Sequence, residues 1–322
     1  MGERIEAVLF MVFNRPDLTR AVFERIRQAR PKRLYFAADG PRERDGEKEI
    51  CEEVRGIING VDWDCEIHTL LRETNLGCKT AISSAISWFF DHEEMGIILE
   101  DDCLPDPTFF TYCHILLERY RDNPQIMMIA GSDPILGKLR IRESYFFSRY
   151  YHIWGWASWR RAWASYDIDM KQWPRIRSSG ILKARYGDEL GAELETLFQS
   201  TFSGHTNTWD SQWFISCMIN EGLCIIPRVN LISNIGVQGV HTNGFNNRLQ
   251  MTATRPIHPS NRTPKVEPDL DSDRLLFDAV LCKTNYILAG IHYRSRLLLI
   301  KVNPSIGEKV RLRWLLELAM RI

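Results

Sequence analysis

The 322-residue chain is 44% hydrophobic, enough to bury a large core in one big domain or two smaller ones. Lys+Arg and Asp+Glu balance at 41 each, so the formal net charge is zero, which disfavours a nucleic-acid binder that would need a basic excess. Eight cysteines stand without a C-x-x-C pair or a zinc-spaced Cys/His cluster, a usage that fits reduced thiols better than a disulfide framework.

No apolar stretch reaches the roughly 18 residues of a membrane-spanning helix. MGERIEAVLF runs almost directly into a strand-like segment and leaves no room for a signal peptide. A soluble, cytoplasmic protein is therefore expected.

In chain order, AVLFMVF (7–13) is a continuous apolar run, as in a strand covered on both faces. The next segment places Pro16 near a first turn and Leu18, Val22, Phe23 and Ile26 at helical spacing. RLYFAADG (33–40) predicts a second strand ending on Asp39-Gly40, followed by a charged helix over 45–59. A strand at CEIHTLL, a helix at CKTAISSAISWFF and a strand running into GIILEDD follow. This alternation predicts an α/β fold, Rossmann-like, with a mostly parallel central sheet, helices on both faces and ligands at the C-terminal ends of the strands.

Past Pro134 aromatics crowd 145–173, a helix is expected near 208–221, and LCIIPRVNLISNIG reads as another buried run. Residues 251–275 read as a linker or excursion, and the chain turns helical again from about 276. The expected organisation is a nucleotide-binding half over 1–132, a second half of the same domain over 133–250, and a linker with a C-terminal helical extension over 251–322.

The apolar run Ile97–Leu99 empties into Glu100, Asp101 and Asp102 and then a proline-bounded turn. Three adjacent carboxylates repel one another unless a cation or partner compensates. Strand alternation would place Glu100 and Asp102 on one side and Asp101 on the other. Hard divalent ions take one or two carboxylates plus substrate phosphates, so a metal–diphosphate site is the functional reading. A solvated acidic turn is the competing one.

FNRP, LEDDCLPDPTFF and WDSQWF, in that order, resemble the GT-A-fold nucleotide-diphospho-sugar glycosyltransferases, most nearly the N-acetylglucosaminyltransferase I type. The likeness spans about residues 6 to 245. It implies that Asp102 ligates Mn²⁺ or Mg²⁺, that Glu100 and Asp101 contact the donor's sugar and ribose, and that Arg15 and Asp39 hold its base. It also implies that Asp210 is the general base of an inverting transfer from a uridine-type donor, and that His241 returns to the metal. Each has a plainer alternative: a helix-start charge for Arg15, a turn residue for Asp39, a macrodipole-favoured carboxylate for Asp210, and polar loop lining for His241.

Lys79 would lie near the phosphates at a helix start, or else face solvent. In HIWGWASWRRAW the indoles of Trp154 and Trp156 are candidates to line a carbohydrate acceptor cleft, with Trp163 inside; ordinary core packing competes. His152 and His205 carry weaker signals. The basic, Leu-rich tail could touch a membrane bearing a lipid-linked acceptor, or dock on the body. The rival functions are a sugar-nucleotide pyrophosphorylase, which would want a Gly-rich loop after the first strand, and a non-catalytic carbohydrate-binding protein.

Overall fold

The computed structural model describes residues 5–135, 142–236, 251–260 and 262–280. Strand β1 (Ala7–Val12) is buried along its whole length. Its Val8, Phe10 and Val12 enter one apolar cluster, and its Ala7, Leu9 and Met11 enter another. That is why the run has no polar alternation: both faces of the strand are covered. Helix α1 (Pro16–Ala29) starts on Pro16, whose missing N–H is one the first turn would leave unpaired. It ends at Arg30, in the left-handed region at φ 50°, with the Arg30 N–H returning to the Ile26 carbonyl.

The chain continues through β2 (Arg33–Ala38), α2 (Glu47–Gly56), β3 (Glu66–Leu71), α3 (Gly77–His92), β4 (Met95–Glu100), β5 (Cys103–Pro105), α4 (Thr108–Arg119) and β6 (Ile126–Ala130). Then come β7 (Tyr145–Ser148), β8 (Trp156–Trp159), α5 (Arg160–Trp163), α6 (Trp173–Ser179), α7 (Ile181–Tyr186) and α8 (Asp188–Phe202). The described elements close with α9 (Asp210–Ile219), β9 (Leu223–Pro227), β10 (Ile232–Asn234) and α10 (Leu270–Val280).

One eight-stranded sheet has the order β3-β2-β1-β4-β8-β6-β9-β7. β1, β2, β3 and β4 are parallel, as are β6 and β9, whereas β8 and β7 run antiparallel to their neighbours. The sheet is therefore mostly parallel, with α1, α2 and α4 packed on one face and α3 and α9 on the other. The C-terminal ends of β1, β2, β4 and β6 share one edge. Because β8 is reversed, the loop before it reaches that same edge: Trp156 pairs with Ile98 and Ala130. Gly131 and Gly155 permit the approach, since the Gly131 N–H donates to the Gly155 carbonyl at 2.8 Å and a Cβ on Gly131 would lie 2.6 Å from that oxygen. The strand pair β10–β5 closes over the acidic turn.

The short strands β6, β7 and β8 and the helical block α6–α8 have no counterpart among the expected elements. The expected linker over 251–275 proves to be fastened to the body where it is described. Ile257 is buried and its N–H donates to Thr108 Oγ1 at 3.0 Å, while the Asp269 N–H donates to the Phe147 carbonyl at 2.9 Å. In α10, Asp273 is bound by Ser148 Oγ and by Arg149 Nε at 3.0 Å, and Leu276 is fully buried. Burial of Ile257 and Leu276 contributes about 2 kcal/mol each to holding these segments on the body. The seven described cysteines are all free thiols.

Near the edge, the loop after β2 is pinned by Glu47, which accepts from Asn14 Nδ2 at 3.0 Å, the Arg42 N–H at 2.7 Å and the Arg42 guanidinium. Arg42's hydrogen bonds hold the Glu47 carboxyl down at about 2, against burial, which raises it. The folded value lies below the ordinary 4.5, so the contribution is complete above about pH 4.5 and fades as the pH falls toward 2. Glu47→Ala should cost about 2 kcal/mol at pH 7 in urea denaturation, and the deficit should shrink when wild type and variant are compared at pH 3.

Candidate functional site

Glu100 ends β4 half-buried, and the chain turns immediately afterwards. Asp101 is only 3% exposed. Arg15, at the cap of α1, spans the two carboxylates that follow the strand. Its Nη2 and Nε donate to Asp101, Nε at 3.1 Å, and its Nη1 donates to Asp102 Oδ2 at 2.9 Å. The expected opposite facing of Asp101 and Asp102 therefore does not occur: alternation stops where the strand stops. Arg15, expected to hold a base, directs its guanidinium to these two carboxylates.

Burial pulls the Arg15 pKa down, but Asp101 and Asp102 together reverse that and leave it above its ordinary value. Burial pushes the Asp101 carboxyl up to about 6 despite Arg15. Glu100, pushed up first by burial and then by Asp102 and Asp101, reaches about 8.

Asp39 is spent on its own neighbourhood. Its carboxylate accepts from Asn75 Nδ2 at 2.9 Å and from the backbone N–H groups of Leu76 at 3.0 Å and Gly77 at 3.2 Å. It thus fills the N-terminal end of α3, where free N–H groups favour an anion. Asp39 is expected from the sequence to hold a base; in this structure its carboxylate holds the start of α3. Lys79 lies in the first turn of α3, half-buried, with its carbonyl accepting from Ser83 Oγ.

Asp210 opens α9 partly exposed. Its Oδ1 accepts from Thr208 Oγ1 and from the Ser211 N–H at 2.8 Å. The helix start is fixed by indoles: Trp209 stacks on Trp156 with centroids 5.9 Å apart, Trp213 lies 5.8 Å from Trp156, and Trp163 lies 5.0 Å from Trp213. Tyr166 lies flat on Trp163 at 4.2 Å and donates to the Trp209 carbonyl at 3.1 Å. Trp156 is 1% exposed, so its expected place in an acceptor cleft is corrected: it is core, and it carries the backbone of Asp210. Trp163 is inside as well, whereas Trp154 stays half-buried on the rim.

The fold brings Asp210 and the acidic turn into one electrostatic neighbourhood. Asp210 raises the Glu100 pKa, behind burial, Asp102 and Asp101. Cys78, pushed up to about 12 mainly by burial, feels Glu100, Asp210, Asp102 and Arg15 together. Tyr150 and Tyr166 also feel the Asp210 charge. Sequence reasoning missed Cys78, Tyr150 and Tyr166. The aromatic crowding over 145–173 was the one visible sign of the two tyrosines, and Cys78 had none.

Asp102 keeps the capacity to ligate a hard divalent cation. Asp102 Oδ1 meets only long contacts of 3.5 Å, from Asn234 Nδ2 and Cys103 Sγ, and so keeps lone pairs. A Cβ on Gly236 would come within 2.4 Å of Asp102 Oδ2, so only glycine leaves that carboxylate its place. Among the described residues no three of His, Cys, Asp and Glu converge as a ligand cage. An ion held by one carboxylate and phosphate oxygens needs none. His241 lies outside the described residues, as does the tail beyond 280. No helix among the described residues is long and apolar enough to cross a membrane.

No protein-family model matches the chain, and no curated protein matches it. Solved structures do resemble it. A mannosyltransferase from Pyrobaculum calidifontis in complex with GDP-Man and Mn²⁺ is 10% identical, over 68% of this chain and 88% of that one, with a TM-score of 0.34. An apo UDP-glucose pyrophosphorylase is 10% identical over 71% and 93%, with a TM-score of 0.38. Mouse xyloside xylosyltransferase 1 is 11% identical over 66% and 81%, with a TM-score of 0.33. Identities of 10 and 11% leave residue roles to the geometry of this chain.

Proposed function

We propose that the protein is a metal-dependent, inverting glycosyltransferase that moves a sugar from a nucleotide-diphosphate donor, of the uridine type, to an acceptor hydroxyl. The observation that carries this reading is the shared neighbourhood of Asp210 and the Glu100–Asp102 turn at the ligand edge of the sheet. Four carboxylates gather there with Arg15 as the cation bonded to two of them. Such a surplus of negative charge suits a cation-bearing ligand.

In this reading Asp210 is the general base. Thr208 and Ser211 hold its Oδ1, and Oδ2 takes the proton of the acceptor hydroxyl. The freed oxygen pair forms the new bond to the anomeric carbon as the bond to the diphosphate oxygen breaks with its electron pair, so configuration inverts. Asp102 would hold Mn²⁺ or Mg²⁺, which would offset charge on the leaving diphosphate. Arg15 and Asp101 position Asp102, Glu100 faces the donor sugar, Asp39 shapes the loop that presents Lys79 to the phosphates, and Trp154 borders the acceptor. His241 remains a candidate second metal ligand.

Thermal melting with UDP-, GDP- and CMP-sugars, each with and without Mn²⁺, tests the proposal. A UDP-sugar with Mn²⁺ at a hundredfold excess over Kd should add about 2.7 kcal/mol of stability, and slow Mn²⁺-dependent donor hydrolysis should accompany it. Melting unchanged by Mn²⁺ across every donor, with no hydrolysis, would overturn it.

A further inference from the structure

The loop between β7 and β8 holds a histidine whose proton can be placed from oxygen chemistry alone. Ser132 Oγ lies 2.9 Å from the Trp154 carbonyl oxygen, and His152 Nδ1 lies 2.9 Å from the same Oγ. A carbonyl oxygen carries only lone pairs, and two oxygens at that separation repel unless a hydrogen lies between them. The Ser132 hydroxyl therefore donates to Trp154, and its remaining lone pairs face His152. Nδ1 must carry the imidazole proton, so Nε2 is a bare acceptor. Among the described residues Nε2 meets no donor and is not one of the sealed polar atoms, and the residue keeps 7% of its surface open.

The placement of this lone pair gives it a use. Trp156, two strand positions beyond Trp154, pairs with Ile98, which is two positions before Glu100, so the loop stands beside the acidic turn. Tyr150, 6.4 Å from the His152 ring, feels the charge of Asp210. The half-buried Trp154 indole meets His152 edge-on at 4.8 Å and forms an apolar wall.

Two other uses fail. Burial holds the ring's pKa down at about 4, so it is neutral at physiological pH and unsuited to pairing with phosphate. No three of His, Cys, Asp and Glu, His152 included, converge as metal ligands among the described residues. A neutral acceptor beside an indole suits a pyranoside, whose C–H face packs on the ring while an O–H donates.

We propose that His152 Nε2 accepts a hydrogen bond from a hydroxyl of the acceptor sugar, in a subsite walled by Trp154, with Ser132 as the positioning residue that fixes the tautomer. This rests on the glycosyl-transfer reading above and extends it to the acceptor side. His152→Asn is the informative variant, because its amide N–H can still reach Ser132 while no acceptor remains at the ε position.

The probes are methyl hexopyranosides and their monodeoxy analogues, with the UDP-sugar that the wild type hydrolyses as donor. His152→Asn should raise the acceptor KM about 10- to 100-fold, the loss of one hydrogen bond in a desolvated site, and leave Mn²⁺-dependent donor hydrolysis and donor KM within about twofold. One deoxy glycoside should show the same loss with wild type and no further loss with the variant. An unchanged acceptor KM in the folded variant, or penalties that multiply, would overturn the subsite.

If wild type hydrolyses no nucleotide sugar and its melting is unchanged by Mn²⁺ with every donor, the transferase reading falls. The subsite is then decided by the ¹⁵N resonance of His152 Nε2 during titration with the same glycosides. Movement in wild type supports sugar recognition, and a resonance that stays still removes it.

Discussion

On the proposed reading, Asp210→Asn should leave nucleotide-sugar binding intact and lower sugar transfer by about 10²-fold or more, the usual contribution of a positioned general base. The substitution keeps volume and leaves an amide oxygen to accept from Thr208 and Ser211, so the first turn of α9 is undisturbed. The stacked indoles of Trp209 and Trp156 continue to hold that turn. Only the capacity to take a proton is lost. Single-turnover measurements at saturating donor and acceptor read the chemical step directly, and wild-type rates in the variant would remove Asp210 as the base.

Arg15→Met is expected to be the most destabilising single change at the site, at about 3 kcal/mol or more. The methionine fills part of the same space but strands Asp101, 3% exposed, without the guanidinium that now bonds both of its oxygens. Arg15→Lys should rescue little, since one ammonium cannot reproduce the fork that spans Asp101 and Asp102. Arg15→Met with Asp101→Asn should recover most of the loss, because it removes the stranded charge as well as its partner. Urea midpoints of the three variants give the comparison. Wild-type stability in Arg15→Met would show that solvent already satisfies Asp101.

The parallel half of the sheet was legible because strands buried on both faces cannot alternate, so Ala7–Val12, Arg33–Ala38 after its first residue and Met95–Glu100 before its last read as apolar runs. The end of such a run marks a ligand edge, which is why the acidic turn could be given an address. Beyond residue 126 the signals fade. β7 and β8 are four residues each, too short to show a period, and β8 sits inside a tryptophan-rich stretch that reads equally well as a binding surface.

Side-chain pairing was hidden for another reason. Arg15 and Asp101 lie 86 positions apart, and Asp39 and Asn75 lie 36 apart, so nothing local shows that each carboxylate is already engaged. The fate of Trp156 was equally invisible. An indole on a strand and an indole in a cleft have the same letter, and only the packing of α9 on β8 separates them.

The reversal of β8 has a consequence for how such a chain can diversify. The segments after β1, β2 and β4 reach the edge as exits from strands, each tied to the helix or turn that follows, and lengthening one would displace an element of the core. Residues 149–155 reach the same edge as the approach to a strand, spanning from β7 at the sheet's margin to β8 near its middle. Changes there bear on that edge without lengthening a strand exit, within limits set by the buried Tyr151 and by Gly155, whose carbonyl accepts from Gly131. The shape of that side of the edge is thus set separately from the acidic turn after β4.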